Sequence, residues 1–366
     1  MGQSVVISPV ASSANDAETA ARLRLSVVVP ARNEAAVLGE CLRSLVAQSE
    51  AGFELDVDWE LIVVDDDSTD GTRAIAEAVV REGVVVIDAP RLDLSERGGF
   101  TGKTNACWAG AQRARGSWLL FTDADTVHEQ GDLSRALHEA KKYGVALLSY
   151  SPRQIVTGFW QRAVMPLVFS ELASMYPPKQ VNDPANRVAA ANGQFLMMER
   201  EAYFAVGGHR VVGQEILEDV ALARKIKRTR HAIRFRYAPD ALSARMYRSL
   251  PEMVEGWTKN LALLFPSAVL VAGMQMLQFL LFFGLPALAM GMPLLAIWQR
   301  WAILLVWLRT SWGFYGRVAR SKFATGDVAI SIFGVPMFCW LLLRSHLHHR
   351  VTRSVDWKGR RYKVGR

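Results

Sequence analysis

The chain has 366 residues, 51% of them apolar, with a formal net charge of +8, which leaves room for one large domain or two smaller ones. That charge is concentrated after the last apolar segment, in Arg344, Arg350, Arg353, Lys358, Arg360, Arg361, Lys363 and Arg366, opposed there only by Asp356. No basic stripe sits on a nucleic-acid-binding fold, so nucleic acid is excluded as a partner, and the cluster reads as the cytoplasmic flank of membrane segments facing anionic lipid.

Residues 1–24 are polar and Ala/Ser-rich, without the apolar core of a signal peptide. The expectation is a disordered lead into a cytoplasmic domain over 25–248. Leu25–Val29 is a short apolar run closed by Pro30, a buried strand. Ala35–Gln48 has helical spacing, with Val37, Leu38, Cys41, Leu42 and Leu45 on one face. Glu60–Val64 is the second strand, and Asp70-Gly-Thr opens the next helix. Val84–Ile87 is a third strand, Thr104–Ala114 an Ala-rich helix, and Trp118–Phe121 a fourth strand. Gln130–Tyr143 reads as an exposed helix and Val145–Ser149 as a fifth strand. Strands alternating with helices at this pitch predict a mostly parallel sheet with helices on both faces.

Phe159–Tyr176 mixes Trp160, Met165, Leu167, Val168 and Phe169 with Arg162 and Glu171, which fits an amphipathic helix on a membrane surface or an ordinary core-facing helix. Pro177-Pro178 ends it. Phe195–Met198 is another strand and Asp219–Arg230 a helix rich in Lys and Arg. Leu250–Leu264 is helical, an interfacial helix over 249–265. From Pro266 to Trp298 there is no charged residue, and about 20 apolar residues suffice to cross a bilayer. The region 266–343 divides into three candidates, about Pro266–Met290, about Pro293–Leu308 and Val328–Leu343, ahead of a basic tail over 344–366. Three full spans would put that tail opposite the catalytic domain, against the positive-inside rule. An even number of crossings is expected, with one segment re-entrant or a long one split near Gly284 and Pro286. Cys41, Cys107 and Cys339 form no metal-type or redox-type pair, which suits a reducing compartment.

Two strands end abruptly in acids: Leu61–Val64 runs into Asp65-Asp-Asp67, and Leu119–Thr122 into Asp123-Ala-Asp125. In an open α/β sheet these positions lie at the carboxyl ends of strands, where ligands bind. Converging carboxylates repel unless a cation or polar ligand offsets them. A pair two residues apart suits a hard divalent ion that also grips phosphate oxygens. The plain alternatives are a solvated turn at Asp65–Asp67, a helix cap at Asp70, and a pair of dipole-stabilised helix-start acids at Glu218-Asp219.

Gly98-Gly-Phe-Thr-Gly-Lys-Thr104 resembles a phosphate-binding loop, but that motif needs glycine at position 97, which is Arg. Lys103 still sits at a helix start, where anions are favoured. His209 has no metal-spaced partner and reads as a loop residue. His346, His348 and His349 lie among Arg residues beside an apolar segment, which favours interfacial solvation over metal binding.

Val28-Val-Pro-Ala-Arg-Asn-Glu34, Val64-Asp-Asp-Asp-Ser-Thr-Asp-Gly-Thr72, Thr122-Asp-Ala-Asp125 and Leu217-Glu-Asp-Val220 together resemble the ordered motifs of family 2 glycosyltransferases over about residues 24–265. Pro177–Asp183, Asn192-Gly-Gln194 and Asp356-Trp-Lys-Gly-Arg-Arg-Tyr362 are similar to membrane enzymes that glycosylate hopanoid, carotenoid, ceramide-type or other lipid acceptors.

The resemblance implies an α/β, Rossmann-like GT-A fold followed by C-terminal transmembrane helices, in a multi-pass protein of the cell (inner) membrane. It implies a nucleotide-sugar donor (UDP- or GDP-sugar) on Pro30, Asn33, Glu34, Asp65, Asp66, Lys103, Asp123, Gly193, Gln194 and Glu218. Asp123 and Asp125 would hold Mg2+ or Mn2+ against the diphosphate, and Asp219 would be the catalytic base of an inverting transfer. Trp257, Lys259 and Trp160 would face a lipid acceptor at the membrane. Processive members carry Gln-x-x-Arg-Trp after the base. Glu255-Gly-Trp-Thr-Lys-Asn260 stands here instead, which implies transfer of a single sugar. A polyprenyl-phosphate glycosyltransferase and a non-catalytic membrane scaffold are the rival readings.

Overall fold

In the computed structural model, residues 23–48, 50–92 and 99–351 are described, with the backbone alone of 354–357 and 360–363. Most of the N-terminal segment expected to be a disordered lead, Gly98 of the phosphate-loop look-alike, and the side chains of the basic tail beyond Val351 lie outside the described residues.

The first half-chain runs β1 (Leu25–Ala31), α1 (Leu38–Val46), β2 (Trp59–Asp65), α2 (Thr72–Glu77), β3 (Val84–Asp88), α3 (Gly102–Arg113), β4 (Trp118–Phe121) and β5 (Thr126–His128). It continues with α4 (Asp132–Tyr143), β6 (Leu147–Ser151), β7 (Arg153–Gln154), α5 (Gly158–Met175), α6 (Pro178–Val181), β8 (Leu196–Glu199) and α7 (Arg200–Ala205). Then come α8 (Glu218–Arg228), β9 (Ile233–Tyr237), β10 (Leu242–Ala244), α9 (Leu250–Leu264), α10 (Ala268–Gly291), α11 (Ile297–Val318), α12 (Thr325–Val351) and a hairpin of β11 (Ser354–Trp357) and β12 (Arg360–Lys363).

Seven strands form one sheet in the order β3-β2-β1-β4-β8-β6-β9, parallel except for β8, which runs antiparallel to both neighbours. Alternation sorts the side chains: Val27, Val29, Leu61 and Val63 meet α1 and α4 on one face, while Val28, Ile62 and Val64 meet α3 and α8 on the other. Strand order reverses between β1 and β4, so a crevice opens at their carboxyl ends. A smaller sheet, β5-β10-β7, hangs below that edge and ties the segment after the second acid pair to the approach of α9.

Several expected boundaries shift for identifiable reasons. The first helix begins at Leu38 rather than Ala35, because the Glu34 and Ala35 amides donate to Thr72 Oγ1 (2.7 Å) and Asp70 Oδ2 (3.2 Å) instead of starting a helix. The helix expected to be exposed over Gln130–Tyr143 begins at Asp132 and buries Leu133, Ala136, Leu137 and Ala140. The fifth strand lies two residues later than expected, at Leu147–Ser151. The membrane-surface alternative for Phe159–Tyr176 gives way to the core-facing one: α5 is buried continuously from Ala163 to Ser170, packed mainly against α12. His209, expected in a loop, lies instead in a short 3-10 helix over Gly208–Val212. It is 1% exposed, and the Tyr203 hydroxyl lies 2.9 Å from its Nδ1 while accepting from its backbone N–H at 3.0 Å. Burial, with Lys103 nearby, pushes the His209 pKa down to about 3.

Two helices, α10 and α12, are long and apolar enough to cross a membrane. Only 17% of the apolar window of α10 is buried against 56% for α12, so α10 is the one with most of its apolar surface unclaimed by protein. The third candidate, Pro293–Leu308, is not a separate apolar span. It belongs to α11, which carries Arg300, Arg309 and Arg317. Nor is α10 split at Gly284 and Pro286. Proline lacks the N–H that would bond the carbonyl four residues back, and that Phe282 carbonyl instead accepts the Trp307 indole N–H at 2.8 Å. His349 Nε2 lies 2.8 Å from the Lys259 carbonyl, joining the end of α12 to α9.

Candidate active site

A cavity of about 470 Å³ occupies the carboxyl edge of the sheet. Its walls come from the end of β1 (Pro30) and the turn after it (Asn33, Glu34), the residue after β2 (Asp66), the start of α3 (Lys103) and the turn after β4 (Asp123, Asp125). Gly193 and Gln194 before β8 and Glu218 and Asp219 at the start of α8 complete the far side. Positions separated by up to about half the chain thus share one space. A second depression of about 690 Å³, lined by Arg24, Phe53, His138, Tyr143 and Arg234 among others, has none of these groups.

The two acid-bearing turns are stitched together before any ligand arrives. Asn33, at φ 51°, donates its N–H to Ser68 Oγ (3.1 Å) and accepts the Thr69 N–H on Oδ1 (2.9 Å). Arg32 donates to the carbonyls of Asp66 and Asp67. The three consecutive acids then separate. Asp67 has a side chain 86% exposed, and Asp66 lines the cavity. Asp65 is buried at the strand end, its Oδ1 without a hydrogen-bond partner among the described residues. Asp70 is not the cap of α2, whose N-cap position is Gly71; it stands one residue earlier and accepts the Thr72 N–H at 3.0 Å.

Lys103 is the electrostatic hub. Its Nζ lies 2.7 Å from Asp123 Oδ1 and 2.9 Å from Glu218 Oε1. Burial opposes its charge, but the Asp123 and Glu218 carboxylates outweigh that and hold its pKa well above the ordinary value. Asp219 accepts the Gly193 N–H on Oδ2 (2.8 Å) and the Val220 N–H on Oδ1 (2.7 Å). Its carboxyl opens to the cavity but is ringed by protein. Burial, then the neighbouring Glu218 charge, raises its pKa to about 7 against the opposing pull of Lys103 and the two N–H donors. Gln194 is locked from behind, its Oε1 accepting Gln154 Nε2 at 2.9 Å.

Gly193 sits where backbone and cation almost touch: a Cβ there would lie 2.9 Å from Lys103 Nζ. Gly193→Ala is therefore expected to displace the lysine. A misplacement of about 1 Å costs as much as about 10²-fold in rate, and steady-state kinetics on the folded variant would show this loss. An unchanged kcat/KM would mean that the lysine has room to move.

Among the expected acceptor residues, Lys259 lines the cavity but the two tryptophans do not. Trp257 is 2% exposed, packed edge-on against Phe169 and Tyr247, because it lies on the face of α9 turned into the helical core. Trp160 is 40% exposed beside Phe159 on the first turn of α5, away from the cavity lining. Missed in the sequence are Arg245, Tyr247, Arg248, Glu252, Glu255 and Asn260, which all line the cavity. Their signal was the spacing of Glu252, Glu255 and Lys259 on one helix face. Nothing local shows that β10 pairs with β5 and so delivers Arg245, whose N–H donates to the Asp125 carbonyl at 3.2 Å. Among the described residues no group of three or more His, Cys, Asp or Glu is placed to hold a metal unaided.

Comparison with known proteins bears on this arrangement. Residues 26–207 match the family described as glycosyl transferase family 2. The 4,4'-diaponeurosporenoate glycosyltransferase of Staphylococcus haemolyticus (strain JCSC1435) is 26% identical over 93% of this chain and 88% of its own length. The enzyme of the same description from Staphylococcus aureus (strain MRSA252) is 28% identical, over 65% of this chain and 60% of its own length. Among solved structures, the mannosyltransferase PcManGT from Pyrobaculum calidifontis, in complex with GDP-Man and Mn2+, superposes with a TM-score of 0.52 at 16% identity, covering 91% of this chain and 88% of its own. The chain carries a glycosyl transferase family 2 domain on a GT-A fold and is a glycosyltransferase.

Proposed function

We propose that this enzyme moves one sugar from a UDP- or GDP-sugar to a hydroxyl or carboxyl group of a lipid or other apolar acceptor at the cytoplasmic face of a membrane, with inversion and with a divalent metal. One observation carries the reading: the acid pair, the clamped lysine and a carboxyl with a pKa near neutrality face one cavity at the switch point of the sheet.

The chain's own groups divide the work. Pro30, Asn33, Glu34 and Asp66 form the wall that receives the base and ribose, whereas Asp65, buried at the end of β2, does not line it. Asp123 and Asp125 are hard oxygen donors on one turn. Mg2+ and Mn2+ are commonly held by one or two carboxylates plus substrate phosphates and water, so this set fits such an ion without a third protein ligand. Bound there, the ion offsets negative charge on the departing nucleoside diphosphate. Lys103, tied to Asp123 and Glu218, adds a second positive charge beside the acid pair, and Arg245 and Arg248 add further positive charge to the lining of the cavity. Asp219, with two N–H donors fixing its orientation, takes the proton of an acceptor hydroxyl, and direct displacement inverts the sugar carbon.

The apolar acceptor is supported by the carotenoid-type substrate named for the two relatives. It is also supported by the exposed apolar surface of α10, where Val269, Leu270, Met274, Leu277 and Leu280 are each more than half exposed. A phosphate acceptor is a second reading favoured by Arg248 and Lys259 in the cavity wall, since both would neutralise it. The test is a donor screen on purified protein in lipid, reading nucleoside diphosphate release with and without extracted membrane lipids. Release from a UDP- or GDP-sugar that rises with lipid is expected. Turnover that ignores lipid and needs a water-soluble acceptor would defeat the proposal.

A further inference from the structure

Behind the acid pair, facing away from the cavity, lies a polar network that the catalytic reading does not use. Thr122 follows β4 and Thr126 opens β5, so the two threonines bracket the Asp123–Asp125 turn. Both are 0% exposed, and their hydroxyl oxygens stand 3.0 Å apart. Each hydroxyl hydrogen has a carbonyl to bond: Thr122 donates to the Gln194 carbonyl at 2.8 Å, and Thr126 to the Asp123 carbonyl at 2.7 Å. Neither hydroxyl then donates to the other, and both oxygens still need a donor. His128 Nε2 lies 3.1 Å from Thr122 and 3.3 Å from Thr126, and the Cys41 thiol lies 3.7 Å from Thr126; for Thr122 the ring is the donor within reach, so Nε2 carries hydrogen. The other ring nitrogen, Nδ1, lies 2.7 Å from Asp132 Oδ2 with both side chains 0% exposed, and one proton sits between them.

Such a pair is a costly way to stabilise a core that apolar residues would fill as well or better. What it does supply is direction. A histidine whose far nitrogen is held by a carboxylate keeps one tautomer and one ring plane. Here that fixed N–H grips two hydroxyls whose own bonds end on the Asp123 carbonyl and on the Gln194 carbonyl, one residue beyond the N–H that binds Asp219. One network therefore touches the backbone of both halves of the site.

We propose that His128 and Asp132 are positioning residues of the donor site: through Thr122 and Thr126 they hold the Asp123–Asp125 turn and the Gly193–Gln194 loop in a fixed register, which sets how tightly metal and diphosphate are gripped. This rests on the proposed metal-dependent donor site.

The test is calorimetry on the full chain in lipid, titrating Mn2+ alone and Mn2+ with UDP or GDP, with thermal unfolding run alongside. Thr126→Val removes one hydroxyl link without burying a charge, Thr126→Ser keeps it, and His128→Gln removes the ring. Loss of groups that orient metal ligands typically weakens binding by about 10–100-fold. Thr126→Val and His128→Gln are expected in that range, with Thr126→Ser returning to within about threefold of wild type. Folded Thr126→Val or His128→Gln protein that binds Mn2+ and nucleotide like wild type would overturn the positioning role. So would a Thr126→Val chain that fails to fold while Thr126→Ser folds, since the hydroxyl would then serve stability alone. Wild-type protein that binds no Mn2+ with either nucleotide overturns the metal-dependent function itself, and the positioning role with it.

Discussion

Asp219→Asn is expected to lower kcat by about 10²–10⁴-fold with a hydroxyl acceptor, the range that a positioned base contributes. Asn keeps the shape but has one acceptor oxygen where Asp219 has two, so it accepts only one of the Gly193 and Val220 N–H groups. Neither group binds the donor directly, so the larger loss is expected in kcat rather than in donor KM. The acceptor class shows in the same variant. A carboxylate or phosphate acceptor arrives already ionised and needs no base, so near-normal turnover there, beside a large loss with a hydroxyl, would identify it. Equal and small losses with every acceptor would remove Asp219 from the chemistry.

The raised pKa of Asp219 gives the pH profile its sign. A base works as the carboxylate, so wild-type kcat should climb as pH rises through about 7 and then level off. The linked stability runs the other way. An acid whose folded pKa exceeds its unfolded one stabilises the fold fully below the unfolded value, and that contribution is lost as pH rises through about 7. The Asn variant should therefore lack this loss of stability as pH rises through about 7. A flat kcat profile between pH 6 and 8 would contradict the assignment.

Asp123→Asn should be the most damaging change on the donor side. It removes half of the acid pair and one of the two carboxylates that clamp Lys103. Metal stabilisation of a leaving group is worth several kcal/mol, about 10³-fold in rate. Calorimetry should show Mn2+ binding with nucleoside diphosphate weakened in step with the rate. Stability should change little, because the Lys103–Asp123 pair opens to the cavity and partly exposed ion pairs contribute modestly. Retained Mn2+ affinity together with lost activity would assign Asp123 to the lysine rather than to the metal.

Much of the sheet was legible because its strands are short, apolar and buried on both faces, and each carboxylate run marks an abrupt strand end. Other elements were not. Strand β9, Ile233–Tyr237, alternates Ile and Phe with Arg over five residues, and it pairs with β6 only because the fold brings that edge to it. Trp257 shows the limit on the site side. An aromatic at a helix position near the expected acceptor end fits a sugar platform equally well and a core residue equally well, and only the rotation of α9 against α12 turned it inward.

By itself, then, the sequence determined which groups take part: the acids at two strand ends, the lysine at a helix start, Asp219 opening a later helix, and the long uncharged stretch after Pro266. These are local signals, each written within a few neighbouring residues. The tertiary structure decided what each group meets. It set Lys103 between Asp123 and Glu218, brought Gly193 onto Asp219, carried Arg245 and Arg248 to the cavity lining after the β5–β10 pairing, and put His128 and Asp132 behind the acid turn. Such contacts join residues up to 120 positions apart, as at Asp125 and Arg245 with their 3.2 Å backbone bond. Their partners are chosen by strand order and helix packing, which no local pattern of residues encodes.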